Sequence, residues 1–249
     1  MLKSEREQEI LNILRGAGFV SVKQISKALY TSESSVRRAL VTLEEMGLIK
    51  RSYGGAELLT NSSNVTSFIA RIDQNIEAKK EIARKAVELI PEGSVLFLDQ
   101  SSSTFFLAEE LLNKKSLTVV TNNVEILGLL SQTDFKVYST GGVLSRDNRI
   151  CLVGADAQRT FEGMYADFAF FSAKSLSSEG VIWDCTREEV LVRESMMKQA
   201  NKKVFLCDSA KYDTYSPYRQ CALTEVDIMI SEEDRAKRYG FCGENVKLL

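Results

Sequence analysis

From Gly93 onward the chain alternates between short β-rich apolar runs and helical patterns, and this alternation constrains its fold most. The runs are SVLFLD (94–99), LTVVT (117–121), FKVYS (135–139), DFAFFS (167–172), KVFLCD (203–208) and VDIMIS (226–231). Helical patterns lie between them near 103–113, 122–131, 154–163 and 186–200. Another covers roughly 74–90 and is ended by Pro91-Glu92-Gly93. Strand alternating with helix predicts an α/β fold with a mainly parallel sheet covered on both faces. In such a sheet the functional loops lie at the carboxyl ends of the strands.

The first residues follow a different rule. Ser4 is placed to cap a helix in which Ile10, Leu11, Ile13 and Leu14 are apolar, ending near Gly16 and Gly18. Ser21 starts a second, carrying Val22, Ile25, Ala28 and Leu29. Ser32 or Ser34 starts a third, where Val36, Leu40 and Leu43 share a face and Gly47 is the stop. LIKRSYGGAELL then reads as two short strands about a Tyr-Gly-Gly turn. Helix, helix-turn-helix and hairpin together outline a winged helix. TNSSNVTS (60–67) is polar, small and aperiodic, which marks a linker. The expected organisation is a winged helix-turn-helix domain over 1–58, a linker over 59–73, and a larger α/β domain over 74–249.

Charge separates the same two parts. Residues 1–56 hold nine Lys/Arg against six Glu, and the remainder holds 23 Lys/Arg against 28 Asp/Glu. A basic head on an acidic body is what a nucleic-acid-binding head produces. The chain has no histidine, which removes Ser-His and Cys-His catalysis, imidazole ligands and imidazole pH switching together. Its five cysteines (151, 185, 207, 221 and 242) are odd in number and show no C-x-x-C spacing, so reduced thiols in a cytoplasmic protein are expected. With no acidic cluster of suitable spacing, neither a metal nor a cofactor is expected. No run approaches the length of a membrane span, and MLKSEREQEI lacks the apolar stretch of a signal peptide.

The third helix carries the chemistry of the head. In a helix-turn-helix the second of the two helices enters the major groove, its first turns nearest the bases. Ser32, Ser34, Ser35, Arg37 and Arg38 occupy those turns. Arginine reads guanine O6 and N7 in bidentate fashion or grips phosphate, and serine hydroxyls at a helix N-terminus suit phosphate. Lys50 and Arg51 in the wing reach a neighbouring phosphate, while Tyr53, Gly54 and Gly55 form a turn that sits close to the DNA backbone. Solvated arginines on a small helical domain are the plain alternative. The glycine stop, the basic hairpin and the two preceding helices favour double-stranded operator DNA.

SSVRRALVTLEEMGLIKRSYGGAELL resembles the signature of DeoR-type bacterial transcriptional regulators, which run Ser-x-x-Thr-Ile-Arg-Arg-Asp-Leu, Leu-Glu-x-x-Gly and Arg-x-x-Gly-Gly-Ala. The likeness continues through Arg71, EAKKEIARKAVELI, FLDQSSST, VVTNN, STGGVL, VGADA, ADFAFFSA, EGVIWDCTREEV and CDSAKY, nearly the whole chain. Ala39 stands where the family usually has Asp, Ser35 where Thr is common, Tyr53 where His is common, and Ser101 where a glycine is usual. FFSAKSLSSEG replaces a glycine-rich stretch. The resemblance implies a C-terminal sensor domain related to ribose-phosphate isomerases and glucosamine-phosphate deaminases. It thus implies a repressor of a carbohydrate operon, controlled by a phosphorylated sugar or related metabolite. A homodimer or homotetramer is expected, since paired heads on a repeated operator multiply modest affinities.

Candidate effector residues follow from strand ends. DQSSSTFFLAEEL is a strand end, a hydroxyl-rich turn and a helix start, so Ser101, Ser102, Ser103 and Thr104 are candidates to cradle an oxyanion. Plain N-capping also accounts for such a run. Thr121, Asn122 and Asn123 end another strand; Gly141 and Gly142 follow a third, with Arg146 and Arg149 beyond. Lys174 and Lys211 each lie just after a strand, natural partners for phosphate. Asp99, Asp184 and Glu189 are candidates for sugar hydroxyls. The competing reading is a sugar-phosphate isomerase or deaminase with an appended DNA-binding head. With no histidine and no acid–base constellation, no catalytic residue is assigned.

Overall fold

The computed structural model describes residues 3–15, 19–45, 49–58, 68–233 and 246–249. The Gly16, Gly18 and Gly47 stops, the 60–67 linker stretch and Cys242 lie outside these residues. Two compact units divide the chain at Asn64/Val65.

The first unit contains α1 (Lys3–Arg15), β1 (Val20–Ser21), α2 (Val22–Ala28), α3 (Glu33–Glu45), β2 (Ile49–Ser52) and β3 (Gly55–Leu58). Ser4, expected as the cap of α1, lies inside it. Ser21 caps α2 through a reciprocal box: its Oγ accepts from Gln24 N–H at 3.3 Å, and its own N–H donates to Gln24 Oε1 at 2.9 Å. Of the two serines proposed to start α3, Ser32 is the cap, accepting from Ser35 N–H at 3.3 Å. Val36, Leu40 and Leu43 are buried with Ile10, Leu14 and Ile25, so the expected apolar stripe is the seam between the helices. The wing is a three-stranded antiparallel sheet ordered β1-β3-β2. Its two-residue strand β1 is too short to leave a periodic signal.

The second unit opens with α4 (Phe68–Ile72) and α5 (Ile76–Glu88). It continues with β4 (Val95–Leu98), α6 (Ser102–Leu111), β5 (Thr118–Thr121), α7 (Val124–Leu130) and β6 (Lys136–Ser139). Next come β7 (Val143–Leu144), β8 (Leu152–Val153), α8 (Ala155–Glu162), β9 (Ala166–Phe171), β10 (Ser175–Leu176) and β11 (Val181–Asp184). The unit ends with α9 (Arg187–Lys198), β12 (Ala200–Leu206), β13 (Tyr218–Ala222), β14 (Ile228–Ile230) and β15 (Lys247–Leu248). Seven strands form one parallel sheet ordered β15-β14-β12-β9-β4-β5-β6. The fold is therefore α/β, as the alternation requires.

The strands are apolar on both faces because each face has its own core. Leu96, Leu98, Phe170, Val204 and Leu206 pack with Ile82, Leu107, Leu111 and Ile126 of α5, α6 and α7. The intervening Phe97, Ala169, Phe171 and Phe205 point the other way, onto Phe161, Val192 and Met196 of α8 and α9. The small antiparallel sheet β10-β11-β13 and the β7–β8 hairpin are additions to the expected plan. The expected 59–73 linker is also shortened. Within it Phe68–Ile72 is helical and belongs to the second unit, where Phe68 packs edge-on to Phe105 of α6 at 5.8 Å between ring centres.

Candidate functional site

On the head, α3 presents Ser34, Arg37 and Arg38 outward, opposite its buried stripe. The two arginines have different partners. Arg37 Nη2 donates to Glu33 Oε2 one turn earlier at 3.0 Å, while Arg38 Nε reaches only the Ser34 carbonyl at 3.4 Å. Ser32 Oγ lies 3.0 Å from both Ser34 Oγ and Ser35 Oγ, so the three hydroxyls form one cluster at the start of α3. In the wing Arg51 is tied to Glu44 through both its backbone N–H and its guanidinium, which holds the Glu44 carboxyl below the usual range. Lys50 is exposed and Tyr53 projects fully into solvent beside it. Gly54 turns the hairpin at φ +83°. Gly55 has an internal reason to be glycine: a Cβ there would stand 2.4 Å from the Val20 carbonyl oxygen.

In the second unit a cleft forms at the carboxyl ends of the three central strands. β4 runs through Gln100 into Ser101–Ser103 at the start of α6; β9 runs into Ser172–Lys174; β12 runs through Asp208 into a 3-10 turn, Ser209–Lys211. Arg71 of α4, the following Gln74–Asn75 and Lys79 of α5 complete the rim, and α9 contributes Glu189 and Arg193. The cavity is about 110 Å³, well below the ~300–1,000 Å³ typical of drug-sized ligands. It suits a small polar molecule.

Buried charge holds these loops in place. Arg193, the largest fully buried side chain among the described residues, donates from Nε to Asp99 Oδ2 at 3.0 Å. Its Nη1 contacts Asp184 Oδ2 at 2.9 Å and Gln220 Oε1 at 2.7 Å. Burial pulls the Arg193 pKa down, but Asp184 and Asp99 outweigh it and the guanidinium stays firmly charged. Asp99 also accepts from Ser101 N–H and Thr104 Oγ1, each at 3.0 Å, and from Ser172 N–H at 3.1 Å. Glu189 accepts from Gln100 Nε2 at 2.8 Å and from Asn148 Nδ2 at 3.0 Å. Burial, then the neighbouring Asp184 carboxylate, push its pKa up toward the neutral form. Burial, followed by Asp184, also pushes the Cys185 thiol up to about 11.

Cations dominate the opposite wall. Lys79 donates to the carbonyls of Arg71 and Gln74, pinning the turn between α4 and α5. Burial and then Lys211 pull its pKa down to about 8. Lys211 pairs with Asp208, whose other oxygen accepts from Asn75 Nδ2 at 3.0 Å. Burial raises the Asp208 pKa, but the lysine outweighs it and the carboxyl titrates below its ordinary value. Two polar groups at the cleft lack hydrogen-bond partners although their atoms are buried: Ser103 Oγ, and Nε and Nη2 of Arg71. Buried polar atoms of native proteins are almost always satisfied, so these two are exceptions at the cleft.

A family model of the DeoR-like helix-turn-helix domain matches residues 6–62, and one of the DeoR C-terminal sensor domain matches residues 74–233. The chain belongs to the DeoR family. It is 32% identical over 93% of its length to the HTH-type transcriptional regulator GolR of Listeria innocua, covering 91% of that protein. It is 29% identical to the glycerol-3-phosphate regulon repressor of Escherichia coli, over 93% of this chain and 92% of that one. Among solved structures it is similar to ribose 5-phosphate isomerase A from Methanocaldococcus jannaschii, with TM-score 0.43, 18% identity, and 56% and 55% of the two chains covered. This DeoR-family chain is a DNA-binding transcriptional regulator and not an enzyme. No helix among its described residues is long and apolar enough to cross a membrane.

The cleft of this DeoR-family protein draws together only part of the expected effector set. Ser101, Ser102, Ser103, Lys174, Glu189 and Lys211 line it, as does Asp184. Asp99 and Thr104 sit beneath it, their oxygens committed to each other and to neighbouring loops. Thr121, Asn122 and Asn123 are fully buried and serve structure: Asn123 caps α7, and Asn122 donates to Gln100 Oε1 at 3.2 Å and to the Leu152 carbonyl. Gly141, Gly142 and Arg149 do not line the cleft; Gly142 packs where a Cβ would stand 2.5 Å from the Val153 carbonyl. The last six lie away from the cleft because a loop at a strand's carboxyl end faces it only when its strand is central enough, whereas Asp99 and Thr104, after central β4, are turned into the hydrogen bonds beneath it. Arg71, Lys79, Arg193 and Asp208 are the additions. Arg193 carried a readable signal, since Glu189, Arg193 and Met196 share one face of α9 and a charge on an apolar face implies a buried partner. Arg71 sits on a helix of five residues, too short for periodicity to reveal.

Proposed function

We propose that this protein is a repressor of a carbohydrate-metabolism operon whose effector is a small phosphorylated sugar or polyol bound in the second-unit cleft. The observation that carries the reading is that Ser103, 1% exposed, and Arg71 line the same cleft and that Ser103 Oγ and two Arg71 nitrogens have no hydrogen-bond partner. A phosphate accepts from both, and from the N–H groups at the start of α6, with Lys174 and Lys211 at the rim supplying charge. Glu189, held toward its neutral form, faces the hydroxyl-bearing end. The printed name of the E. coli relative, a glycerol-3-phosphate regulon repressor, supports a phosphorylated ligand of this size.

On this reading operator DNA is gripped by Ser32, Ser34, Ser35, Arg37, Arg38, Lys50 and Arg51, with Tyr53 and Gly54 at the wing tip. Arg71 links ligand to DNA, because α4 is the first helix after the unit boundary. A ligand that draws Arg71 inward acts on the element from which the chain leads to the head. It shifts DNA affinity only through its different affinities for the two states. A homodimer or homotetramer presents paired heads to a repeated operator.

The test is binding of the full chain to its upstream intergenic duplex, with phosphorylated and unphosphorylated three- to six-carbon polyols added in turn. Release by phosphorylated compounds alone is expected. Arg37→Ala with Arg38→Ala is expected to abolish specific binding. Equal release by both compound classes, or specific binding that survives the double substitution, overturns the reading.

A further inference from the structure

The head carries a second cationic feature, formed by an arginine outside the helix-turn-helix. A surface groove of about 510 Å³ is lined by Arg6 of α1 and by Ser35, Arg38, Ala39, Val41 and Thr42 of α3. Arg6 Nε is buried and has no hydrogen-bond partner. Among the described residues neither Arg6 nor Arg38 has an acidic partner, whereas Arg37 and Arg51 are paired with Glu33 and Glu44. Among the described residues no lining residue is acidic, and Ala39 brings only a methyl group to the groove. Neither Glu7 nor Glu9 of α1 lines it.

Two guanidinium groups therefore line one groove without an acidic partner among the described residues. Like charges so placed repel, and a desolvated guanidinium nitrogen without an acceptor adds to the cost. A single bound anion relieves both. The groove flanks the exposed face of α3, which is the face offered to DNA, so the anion at hand there is a backbone phosphate. We infer that the α1–α3 groove seats one DNA phosphate, held by Arg6 and Arg38 with the Ser35 hydroxyl beside them.

This inference rests on the head binding DNA and adds Arg6 of α1 to the contact surface. The contact carries no base information; it sets the register of α3 on the duplex. It also separates the tasks of the adjacent arginines. Arg38 is shared with α1 and the backbone, leaving Arg37, on the flank of α3 nearer the wing, for base edges.

The experiment uses the full chain and an operator duplex selected by that chain from random sequences, with affinity measured across a salt series. Each phosphate that the protein ceases to neutralise lowers the slope of log affinity against log salt by about 0.9. Arg6→Gln is expected to reduce the slope by that amount and to weaken operator and random duplexes by the same factor. Arg6→Lys is expected to keep most of the slope. Ala39→Asp, which places a carboxylate at the groove and removes no arginine, is expected to reduce the slope in a head that remains folded by circular dichroism.

An unchanged slope in Arg6→Gln with native melting behaviour overturns the inference, as does weakening confined to particular base substitutions. Should Arg6→Gln unfold the head, Ala39→Asp decides, and an unchanged slope there counts against the site. If the wild-type chain itself shows no salt-dependent binding, the DNA-binding reading fails rather than this extension of it.

Discussion

Arg193 and Asp99 lie 3.0 Å apart, Nε to Oδ2, each side chain 1% exposed, at the floor of the second-unit cleft. The same Asp99 carboxylate receives N–H groups from the loops that follow β4 and β9. One ion pair thus positions two of the three loops that make the cleft. A charge at the end of a parallel strand here serves the geometry of the site rather than contact with its ligand.

Removing the cation tests this role. Arg193→Met leaves Asp99 and Asp184 buried without their partner, and breaking one side of a buried pair typically costs ~3–5 kcal/mol. Urea denaturation followed through Trp183, the single tryptophan of the chain, is expected to show that loss in the second unit. A change below about 1 kcal/mol contradicts the assignment of Arg193 as the organising charge.

Ser103→Ala separates ligand binding from folding. The hydroxyl has no hydrogen-bond partner among the described residues, so its removal is expected to leave stability unchanged or slightly raised. Hydrogen bonds to charged groups contribute ~1.5–3 kcal/mol, so affinity for a phosphorylated ligand should fall ~10–100-fold. Titration calorimetry with the best ligand from the polyol series gives the number; undiminished affinity places the phosphate elsewhere.

Lys79 makes the second unit respond to alkaline pH. Its pKa is about 8 in the fold against 10.5 for the ordinary side chain, lowered first by burial and then by Lys211. Between these values the unfolded chain holds more protons, so this residue makes stability rise with pH across that window. In Lys79→Met the contribution is absent. The difference in unfolding free energy between wild type and variant is therefore expected to grow from pH 8 to 10.5, and a flat difference refutes it.

Gly55→Ala addresses the wing. The added methyl meets the Val20 carbonyl at 2.4 Å, against backbone that cannot move without breaking the β1–β3 pairing. Overpacking of this kind costs ~1–3 kcal/mol. A lowered melting temperature of the head is expected, with DNA affinity preserved at temperatures where the head remains folded. Loss of affinity in the fully folded variant assigns Gly55 to the DNA contact instead.

Much of this protein is written in local pattern. Apolar spacing in α3 foretold the Val36–Leu40–Leu43 seam, and strands apolar on both faces foretold a parallel sheet between two helical layers. Those features depend on 3.6- and 2-residue periods, which neighbours along the chain impose. The strand-end position of Ser101–Ser103 was also legible; they line the cleft, and Ser101 caps α6 as a hydroxyl run before a helix ordinarily does.

Which strand-end loops converge on the cleft was decided only in three dimensions. Thr121 and Asn123 have the same local grammar as Ser101 and Ser103, yet β5 lies one strand nearer the sheet edge and its loop turns inward to cap α7. Arg71 joins Ser103 at the cavity across more than thirty positions of chain, and Arg193 meets Asp99 across ninety-four. The periodicity of α9 shows that Arg193 is buried, but which group it meets leaves no periodic trace, because the cost of burying a charge is met only by a partner that folding brings to it. Sequence alone therefore determined the layers and the family. Tertiary packing decided which loops meet at the cleft and which of their polar groups remain without partners.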